Sequence, residues 1–360
     1  MSSASVRQMT IKQLHGPAGP PWEPRLHGRL DRLVVESEVL QGNPLGDPHR
    51  RPLYVYSSPG VVDASAAQVS SVYVLQGFTG QVDAWLARKP FEPTIVERLD
   101  AMYGDPDQAC PQAVIVFVDA WTSLGGAQFL NSPATGNYLD HICDELVPFV
   151  DANYPTRPAA EHRGISGHSS GGYGAMVLPM LRPDVFGALA SHAGDALFEA
   201  CYQPDFARAA RALRDHFENS TARFWEAFRA RENLDWGRFG EVLNVYAMAA
   251  AYSPDRQHPG QVLLPFELGT GRLIEDVWEL WLSHDPVRMA PAHAQALRGL
   301  RRIHIEAGRA DEYFLDLGAQ AFSEQLQALG VQHTFELFDG RHGGVSHRYP
   351  GAIRELLLAI

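Results

Sequence analysis

One segment of the chain, residues 162–174, combines a potential nucleophile with a high density of glycine. Residues 167–171 have the pattern G-x-S-x-G, in which a serine lies on a tight turn between a strand and a helix with its hydroxyl exposed. Glycines suit such a turn because its backbone segments approach too closely for a Cβ atom. The pattern alone is weak evidence, since a glycine-rich turn with a capping serine would look the same. A nucleophilic role for Ser169 therefore needs support from other segments.

A serine hydroxyl is a poor nucleophile at neutral pH unless a histidine takes its proton and a carboxylate orients that histidine. Where the serine lies in a G-x-S-x-G turn, the usual chain order is serine, acid, histidine. Asp311 comes shortly after a predicted strand, residues 302–307, on a loop at the carboxyl end of that strand. Glu312 and Asp316 are rivals, but Asp311 lies nearer the strand. Asp311 is therefore the predicted acid.

Two histidines follow the last predicted strand, residues 334–338. His342 lies in a loop rich in glycine, whereas His347 lies close to Pro350, which indicates the first turn of a helix. The helix dipole would oppose protonation of His347, and a general base must accept a proton. His342 is therefore the predicted base. Neither the spacing of these histidines nor the residues near them support a zinc site, and the sequence predicts no metal and no cofactor.

Attack on a carbonyl carbon produces an oxyanion, which needs backbone N–H groups as hydrogen-bond donors. The N–H of Ser170, next after the serine, is one predicted donor. The N–H of Phe78 is the other, because Phe78 comes just past the predicted strand at residues 71–75. Gly77 is predicted to let the substrate approach this backbone.

Trp121 and Gln128 follow the carboxyl end of another predicted strand, residues 113–118. Residues at this edge of a sheet are candidates for binding a ligand, and both are predicted to be substrate-binding. The alternative is a polar loop that is held by its own amide hydrogen bonds, and the sequence does not choose between the two.

Strand and helix patterns alternate along most of the chain, which predicts an α/β fold with a mostly parallel central sheet and helices on both faces. The first two strands, at residues 30–37 and 51–57, are predicted to form an antiparallel pair. A helix is predicted at residues 138–152. The remaining strands are predicted at residues 71–75, 113–118, 164–167, 185–191, 302–307 and 334–338.

The alternation stops between residues 195 and 300, where helical patterns such as residues 207–231 predominate. We expect an irregular N-terminal arm at residues 1–28, a core at residues 29–194 and 301–360, and a helical insertion at residues 195–300, before the strand that carries the acid. The insertion is expected to form a lid or one wall of the pocket, or else to pack away from the site.

Composition limits the class of partner. The net charge of −12 argues against nucleic acid and against an anionic membrane surface. The three cysteines, Cys110, Cys143 and Cys201, are widely spaced and odd in number, which suits a reducing compartment. The first ten residues lack the profile of a secretory signal, and no apolar run reaches transmembrane length. We expect a soluble, cytoplasmic protein that acts on a small molecule; a homo-oligomer is compatible with the sequence.

Three parts of the chain resemble a known family: residues 42–48, residues 121–132 with 136–138, and residues 164–174. This is the "Putative esterase" family, which includes esterase D (S-formylglutathione hydrolase), the enterochelin esterases and the mycolyltransferases. The likeness extends over residues 40–195 and 300–358. It implies an α/β-hydrolase fold, no metal, and Ser169, Asp311 and His342 as a catalytic triad. We therefore expect a serine esterase that cleaves carboxylic esters through an acyl-enzyme intermediate.

Three alternatives remain at this stage. An acyltransferase would use the same triad, with an alcohol or amine in place of water. A siderophore esterase of the enterochelin type is a further alternative, although a triscatecholate needs clustered cations and the sequence has no obvious cluster. From a different class, the chain could be an inactive scaffold that retains the fold, which the intact set of Ser169, Asp311 and His342 argues against.

Overall fold

The computed structural model describes residues 26–62, 68–88, 90–104 and 109–360. Most of the predicted N-terminal arm, residues 1–25, lies outside the described residues. At the end of that arm, the backbone N–H groups of His27 and Gly28 donate to the carboxylate of Asp100 at 3.0 and 2.8 Å. In the described part of the chain, no helix combines the length and the apolar character needed to cross a bilayer.

Eight strands form the central sheet, and two short ones form a separate hairpin. In chain order they are β1 (Arg29–Glu36), β2 (Arg50–Ser57), β3 (Ser70–Leu75), β4 (Ala113–Val118), the hairpin strands β5 (Asn131–Ser132) and β6 (Gly136–Asn137), β7 (Arg163–His168), β8 (Ala188–His192), β9 (Arg302–Gly308) and β10 (Thr334–Phe338). The order across the sheet is β1-β2-β4-β3-β7-β8-β9-β10. Strand β2 is antiparallel to β1, as predicted, and also to β4, whereas all other neighbours are parallel.

The helices cover both faces of the sheet, as predicted. Their bounds are α1 (Ile95–Ala101), α2 (Tyr138–Asp140), α3 (Val147–Asn153), α4 (Ser170–Leu181), α5 (Phe198–Cys201), α6 (Gln203–Phe217), α7 (Thr221–Ala230), α8 (Trp236–Tyr252), α9 (Glu275–Leu282), α10 (Pro286–Met289), α11 (Ala294–Gly299), α12 (Leu315–Ala328) and α13 (Tyr349–Ala359). Short 3₁₀ helices lie at Pro59–Val61, Val82–Leu86, Ala160–His162 and Val345–His347.

The alternation of side chains along the strands divides the core into two layers. On β3, Val72 and Val74 pack in the layer that α1 and α13 cover, whereas Tyr73 and Leu75 pack in the opposite layer with α3, α4 and α12. All four side chains are fully buried, as expected for a parallel strand covered on both faces. The mostly parallel α/β sheet predicted from the sequence is therefore confirmed.

Three of the predicted elements differ in detail. The helix predicted at residues 138–152 contains a π-helical segment, His141–Leu146, between α2 and α3. The helical stretch predicted at residues 207–231 is two helices, α6 and α7, because Glu218 and Asn219 adopt left-handed φ angles of 51° and 55° and end α6. The strand predicted at residues 185–191 begins at Ala188, since the N–H of Val185 is used in a turn.

Helices α5 to α11 occupy the sequence between β8 and β9, at the place where the sequence predicts a helical insertion. The longest of them, α8, packs against α6 and against the hairpin strand β5. Its last turns are completely buried, and the hydroxyl of Ser132 on β5 donates to the carbonyl of Ala250 on α8. The insertion is therefore joined to the core through buried contacts.

Helix α4 begins unusually close to the sheet. A Cβ atom at Gly171 would lie 2.4 Å from the carbonyl oxygen of Leu75 on β3, a distance that real Cβ contacts do not show. The neighbour is backbone and cannot rotate away. Glycine at position 171 is therefore a steric requirement of the packing between α4 and β3.

This requirement predicts the effect of adding one methyl group. Gly171→Ala should lower the free energy of unfolding by about 1–3 kcal/mol, because helix or strand must shift. Gly351→Ala is the matched control, since Gly351 lies within α13 and its added Cβ would meet no atom within 4 Å. That variant should gain roughly 0.5–1 kcal/mol from helix propensity. Urea denaturation measures both, and equal stability of Gly171→Ala and the parent would contradict the steric argument.

Candidate active site

Ser169 occupies the turn between β7, which ends at His168, and α4, which begins at Ser170. Its φ of 59° and ψ of −127° lie outside the regions that residues with a Cβ normally adopt. Such a conformation costs on the order of 1–3 kcal/mol and persists only when its surroundings enforce it. Here the N–H of Ser169 donates to the carbonyl of His192 at 3.0 Å, and its own carbonyl accepts the N–H of Tyr173 at 2.9 Å. Serine 169 is therefore held in a strained turn at the carboxyl edge of the sheet.

The loops after β9 and β10 bring Asp311 and His342 into contact. Nδ1 of His342 lies 2.8 Å from Oδ2 of Asp311, whose side chain is completely buried. A carboxylate only accepts hydrogen bonds, so Nδ1 carries the hydrogen and Nε2 is left to accept a proton. The rival carboxylates do not contact this ring: Glu312 accepts the backbone N–H of His342, and Asp316 lies in the first turn of α12. Of the three candidate acids, the structure places Asp311 beside the histidine.

The backbone of His342 is fixed from both sides by side chains. Its N–H donates to Oε2 of Glu312 at 3.0 Å, and its carbonyl accepts Nε2–H of His168 at 2.9 Å. The rings of His342 and His168 also lie against each other, with their centroids 4.4 Å apart. Because His168 directly precedes Ser169, this contact links the histidine loop to the serine turn.

The His168 imidazole is kept neutral. Desolvation and then the neighbouring His342 ring lower the pKa of His168 to about 3. A neutral ring has one N–H, and the contact with a carbonyl oxygen assigns it to Nε2. The second candidate base, His347, lies in the short 3₁₀ helix before α13, where its Nδ1 contacts the carbonyl of Gly344 at 2.9 Å.

Two backbone N–H groups beside Ser169 are free to bind a ligand. Neither the N–H of Phe78 nor that of Ser170 has a hydrogen-bond partner within the part of the chain that the structure describes. The loop that carries Phe78 lies close to the serine turn, since a Cβ atom at Gly77 would be 3.2 Å from Cβ of Ser169. The two predicted oxyanion donors therefore flank the serine.

These groups line one cavity of about 580 Å³ at the carboxyl edge of the sheet. Ser169, Ser170, Phe78 and His342 contribute to its wall from the core. The insertion forms the other side through Asp195, Tyr202, Arg208, Trp236, Glu241 and Asn244, among others. The insertion is thus one wall of the cavity, one of the two arrangements expected from the sequence.

A larger hollow, about 810 Å³, lies at the opposite edge of the sheet, beside Gly187 and Arg301. These residues precede β8 and β9, so the hollow is at the amino ends of the strands. Ligands of open α/β sheets bind at the carboxyl ends of the strands. The cavity that contains Ser169 is therefore the candidate active site.

The three predicted substrate-binding residues, Gly77, Trp121 and Gln128, are not among the residues that line this cavity. The carbonyl of Trp121 accepts a hydrogen bond from the guanidinium of Arg51. The Gln128 side chain is buried, and its Nε2 donates to the hydroxyl of Tyr252 at 2.9 Å and to Oδ2 of Asp195 at 3.0 Å. Buried polar groups need such partners, so Gln128 lies in the interior, as the alternative of an internally bonded polar loop describes.

Sequence reasoning missed Asp195 and Tyr202, which contact Gln128 and contribute to the wall of the cavity. The Tyr202 hydroxyl donates to Oδ2 of Asp195 at 2.7 Å. Burial raises the pKa of Asp195, although hydrogen bonds from Tyr202 and Gln128 oppose this effect. One signal was available, since Asp195 follows the predicted strand at residues 185–191 and so belongs to the same carboxyl edge as Ser169.

Comparison with solved structures supports the fold. The chain is similar to a ferulic acid esterase (16% identity, TM-score 0.57, covering 92% of this chain and 97% of that one). It is similar to S-formylglutathione hydrolase from Agrobacterium tumefaciens (14%, 0.56, 94% and 97%). It is also similar to a fluorophosphonate-binding serine hydrolase, FphF, from Staphylococcus aureus (14%, 0.54, 92% and 97%). At these identities the likeness establishes a shared fold.

The eight-stranded sheet, its helices and these similarities define an α/β-hydrolase-like protein, as predicted. A family model described as "Putative esterase" matches residues 64–352. The chain therefore belongs to this esterase family, and it is a carboxylic ester hydrolase. The family resemblance inferred from the sequence is confirmed.

The low pKa of His168 predicts a specific dependence of stability on pH. In the unfolded chain a histidine gains its proton near pH 6.5, whereas in the folded protein His168 gains it only near pH 3. The unfolded state therefore binds more protons between these values, and the contribution of His168 to stability is lost as pH falls from about 6.5 to 3.

His168→Gln should remove this contribution while keeping a donor for the carbonyl of His342. As the pH falls, the free energy of unfolding of the parent should decrease faster than that of the variant, by no more than about 1.4 kcal/mol per pH unit. Urea denaturation of both proteins from pH 7 to 4 measures the difference. Parallel stability curves would show that His168 is not held neutral.

Proposed function

We propose that the protein is a serine hydrolase that cleaves carboxylic esters through an acyl-enzyme intermediate, with Ser169 as nucleophile, His342 as general base and Asp311 as the acid that orients it. One observation carries the proposal. The strained Ser169 and His342 line a single cavity, and His342 is hydrogen-bonded to the buried Asp311, although the three residues come from distant parts of the chain.

Acylation follows from these positions. Oγ of Ser169 attacks the ester carbonyl carbon while Nε2 of His342 takes the hydroxyl proton. Asp311 stabilises the resulting imidazolium through its hydrogen bond to Nδ1. When the tetrahedral intermediate collapses, the bond to the leaving alcohol breaks, and that alcohol receives the proton from His342. The acyl group remains on Ser169.

Deacylation repeats the sequence with water. His342 takes a proton from the water that attacks the acyl carbon, and Ser169 leaves with that proton. In both steps the N–H groups of Phe78 and Ser170 would donate to the oxyanion. Loss of one such donor typically lowers the rate about a hundredfold to a thousandfold. Both N–H groups can serve as donors, because neither has another hydrogen-bond partner in the described part of the chain.

The cavity suits a small-molecule ester. Its volume of about 580 Å³ is within the usual range of about 300–1,000 Å³ for small-ligand sites. Its charged lining is mainly acidic, with Asp205, Glu241 and Glu312 besides the buried Asp195, against the guanidinium of Arg208. Acidic walls repel anions, so we expect uncharged esters to be better substrates than polyanionic ones such as a triscatecholate.

The nucleophile is tested by covalent labelling. A fluorophosphonate probe should label the intact protein at residue 169, and mass spectrometry of the labelled peptide identifies the site. Ser169→Ala should neither label nor hydrolyse p-nitrophenyl acetate, because no activated hydroxyl remains. Ser166→Ala is a control for loss of a nearby serine, since Ser166 is completely buried in β7. Labelling at a residue other than 169 would contradict the proposal.

The acid is tested against its sequence rival. Asp311→Asn should lower kcat by about 10³–10⁴-fold with little change in KM, because the histidine loses the partner that fixes its tautomer. Asp316→Asn should stay within about twofold of the parent. Steady-state hydrolysis measures both variants against the parent, and a greater loss in Asp316→Asn than in Asp311→Asn would reject the assignment.

A further inference from the structure

Asp195 is a buried carboxylate in the wall of the cavity. It lies between β8 and α5 and is 5% exposed. No ion pair joins it to arginine, lysine or histidine among residues 26–62, 68–88, 90–104 and 109–360. Within these residues, its side-chain donors are the neutral groups of Ser170, Gln128 and Tyr202, and all three bind the same oxygen, Oδ2. Burial of a carboxylate without a counter-charge is costly, and such groups occur often at functional sites.

The first donor to Asp195 is Ser170, the residue after the proposed nucleophile. Oγ of Ser170 lies 3.2 Å from Oδ2 of Asp195, and the Ser170 side chain is buried. The N–H of the same residue is one of the two proposed oxyanion donors. The hydrogen bond to Asp195 therefore fixes the first residue of α4 at the point where its N–H faces the cavity.

Gln128, the second residue that donates to Asp195, lies near the segment that carries the other proposed oxyanion donor, the N–H of Phe78. Gln128 donates from Nε2 to Asp195 at 3.0 Å and lies in the loop that contains Gly125. The carbonyl of Gly125 accepts the N–H of Thr79 at 2.9 Å. Gly125 also packs on the ring of Phe78, since an added Cβ would lie 2.7 Å from that ring. The loop that Asp195 holds therefore supports the segment that carries the N–H of Phe78.

The third donor comes from the insertion. The hydroxyl of Tyr202 lies 2.7 Å from Oδ2 of Asp195. Tyr252, at the end of α8, contacts Nε2 of Gln128 through its own hydroxyl at 2.9 Å. All of these side chains are buried. One carboxylate oxygen thus joins the serine turn, the loop that supports Phe78, and the insertion.

We propose that Asp195 is a positioning residue of the esterase site, and this proposal rests on the proposed function. Asp195 holds the N–H groups of Ser170 and Phe78 in the geometry that binds the oxyanion. It acts through Ser170 and Gln128 and does not itself touch the reacting atoms. Oxyanion stabilisation depends on donors placed about 2.7–3.1 Å from the oxygen that becomes charged. Loosening of this support should therefore lower the rate of the chemical step more than the affinity for substrate.

Three variants test this role with p-nitrophenyl acetate as substrate. Ser170→Ala keeps the backbone N–H but removes the hydrogen bond to Asp195, and we expect kcat to fall about tenfold with KM within twofold. Asp195→Ala removes all three contacts and should lower kcat by about 10–100-fold. Asp195→Asn retains an oxygen that can accept the same hydrogen bonds, so kcat should recover to within about threefold of the parent.

A double-mutant cycle separates positioning from general destabilisation. If Ser170 depends on Asp195, adding Ser170→Ala to Asp195→Ala should change kcat less than twofold, because the bond is already lost. Asp285→Asn is the matched control. Asp285 is also buried in the insertion, but it accepts the backbone N–H groups of Leu197, Phe198 and Val287 and does not line the cavity. This control should be less stable to urea yet keep its kcat.

The outcomes also distinguish this inference from the proposed function. If the parent hydrolyses esters and labels at Ser169 but Ser170→Ala and Asp195→Ala keep its kcat, the positioning role is wrong and the function stands. The same conclusion follows if the variants lose stability alone. If the parent neither labels nor hydrolyses esters, both proposals are wrong. If Asp195→Ala does not fold, Ser170→Ala and Asp195→Asn still decide the question.

Discussion

The close approach of α4 to the sheet is the constraint on which the rest of the site depends. A Cβ at Gly167 would lie 2.2 Å from the carbonyl of Gly171, and one at Gly172 would lie 2.7 Å from Cα of Gly194. Only glycine allows the helix to begin so near the strand ends. At this point of close approach, Ser169 has its strained conformation at the carboxyl edge of the sheet. Steric contact in the backbone therefore fixes the position of Ser169, the proposed nucleophile.

Beneath the site, a second set of buried polar groups stabilises the strands that carry it. Glu306 on β9 contacts Nδ1 of His192 on β8 at 2.6 Å and accepts a hydrogen bond from Arg348 at 2.6 Å. Although burial alone would raise the pKa of Glu306, hydrogen bonds from His192, His304 and Arg348 hold it well below the ordinary range. The carbonyl of His192 in turn accepts the N–H of Ser169. The pairing of β8 with β9, the buried polar contacts of Glu306 and the turn at Ser169 therefore stabilise one another.

Much of the fold could be predicted because it rests on local patterns. Short apolar runs, such as those of β3 and β4, indicate strands buried on both faces, and the glycines of residues 167–174 indicate the turn. The candidate site could be predicted in part, since Asp311 and His342 follow strands in the order that a triad requires. The break at Glu218 was missed because helical periodicity does not register a left-handed residue. The two interpretations of Gln128 could not be separated from the sequence, because sequence position gives the edge of the sheet but not the direction of a side chain.

The sequence by itself determined which strands form the central sheet and which edge of that sheet holds the candidate site. It also determined which serine, carboxylate and histidine residues are available there, because these follow from hydrophobic pattern, turn residues and chain order. Tertiary structure alone decided that Asp311 rather than Glu312 contacts the His342 ring, that the insertion forms a wall of the cavity, and that Asp195 meets Ser170 and Gln128. The physical reason is distance along the chain. Hydrogen bonds between residues tens to more than a hundred positions apart depend on how elements pack in three dimensions, and no local pattern encodes that packing.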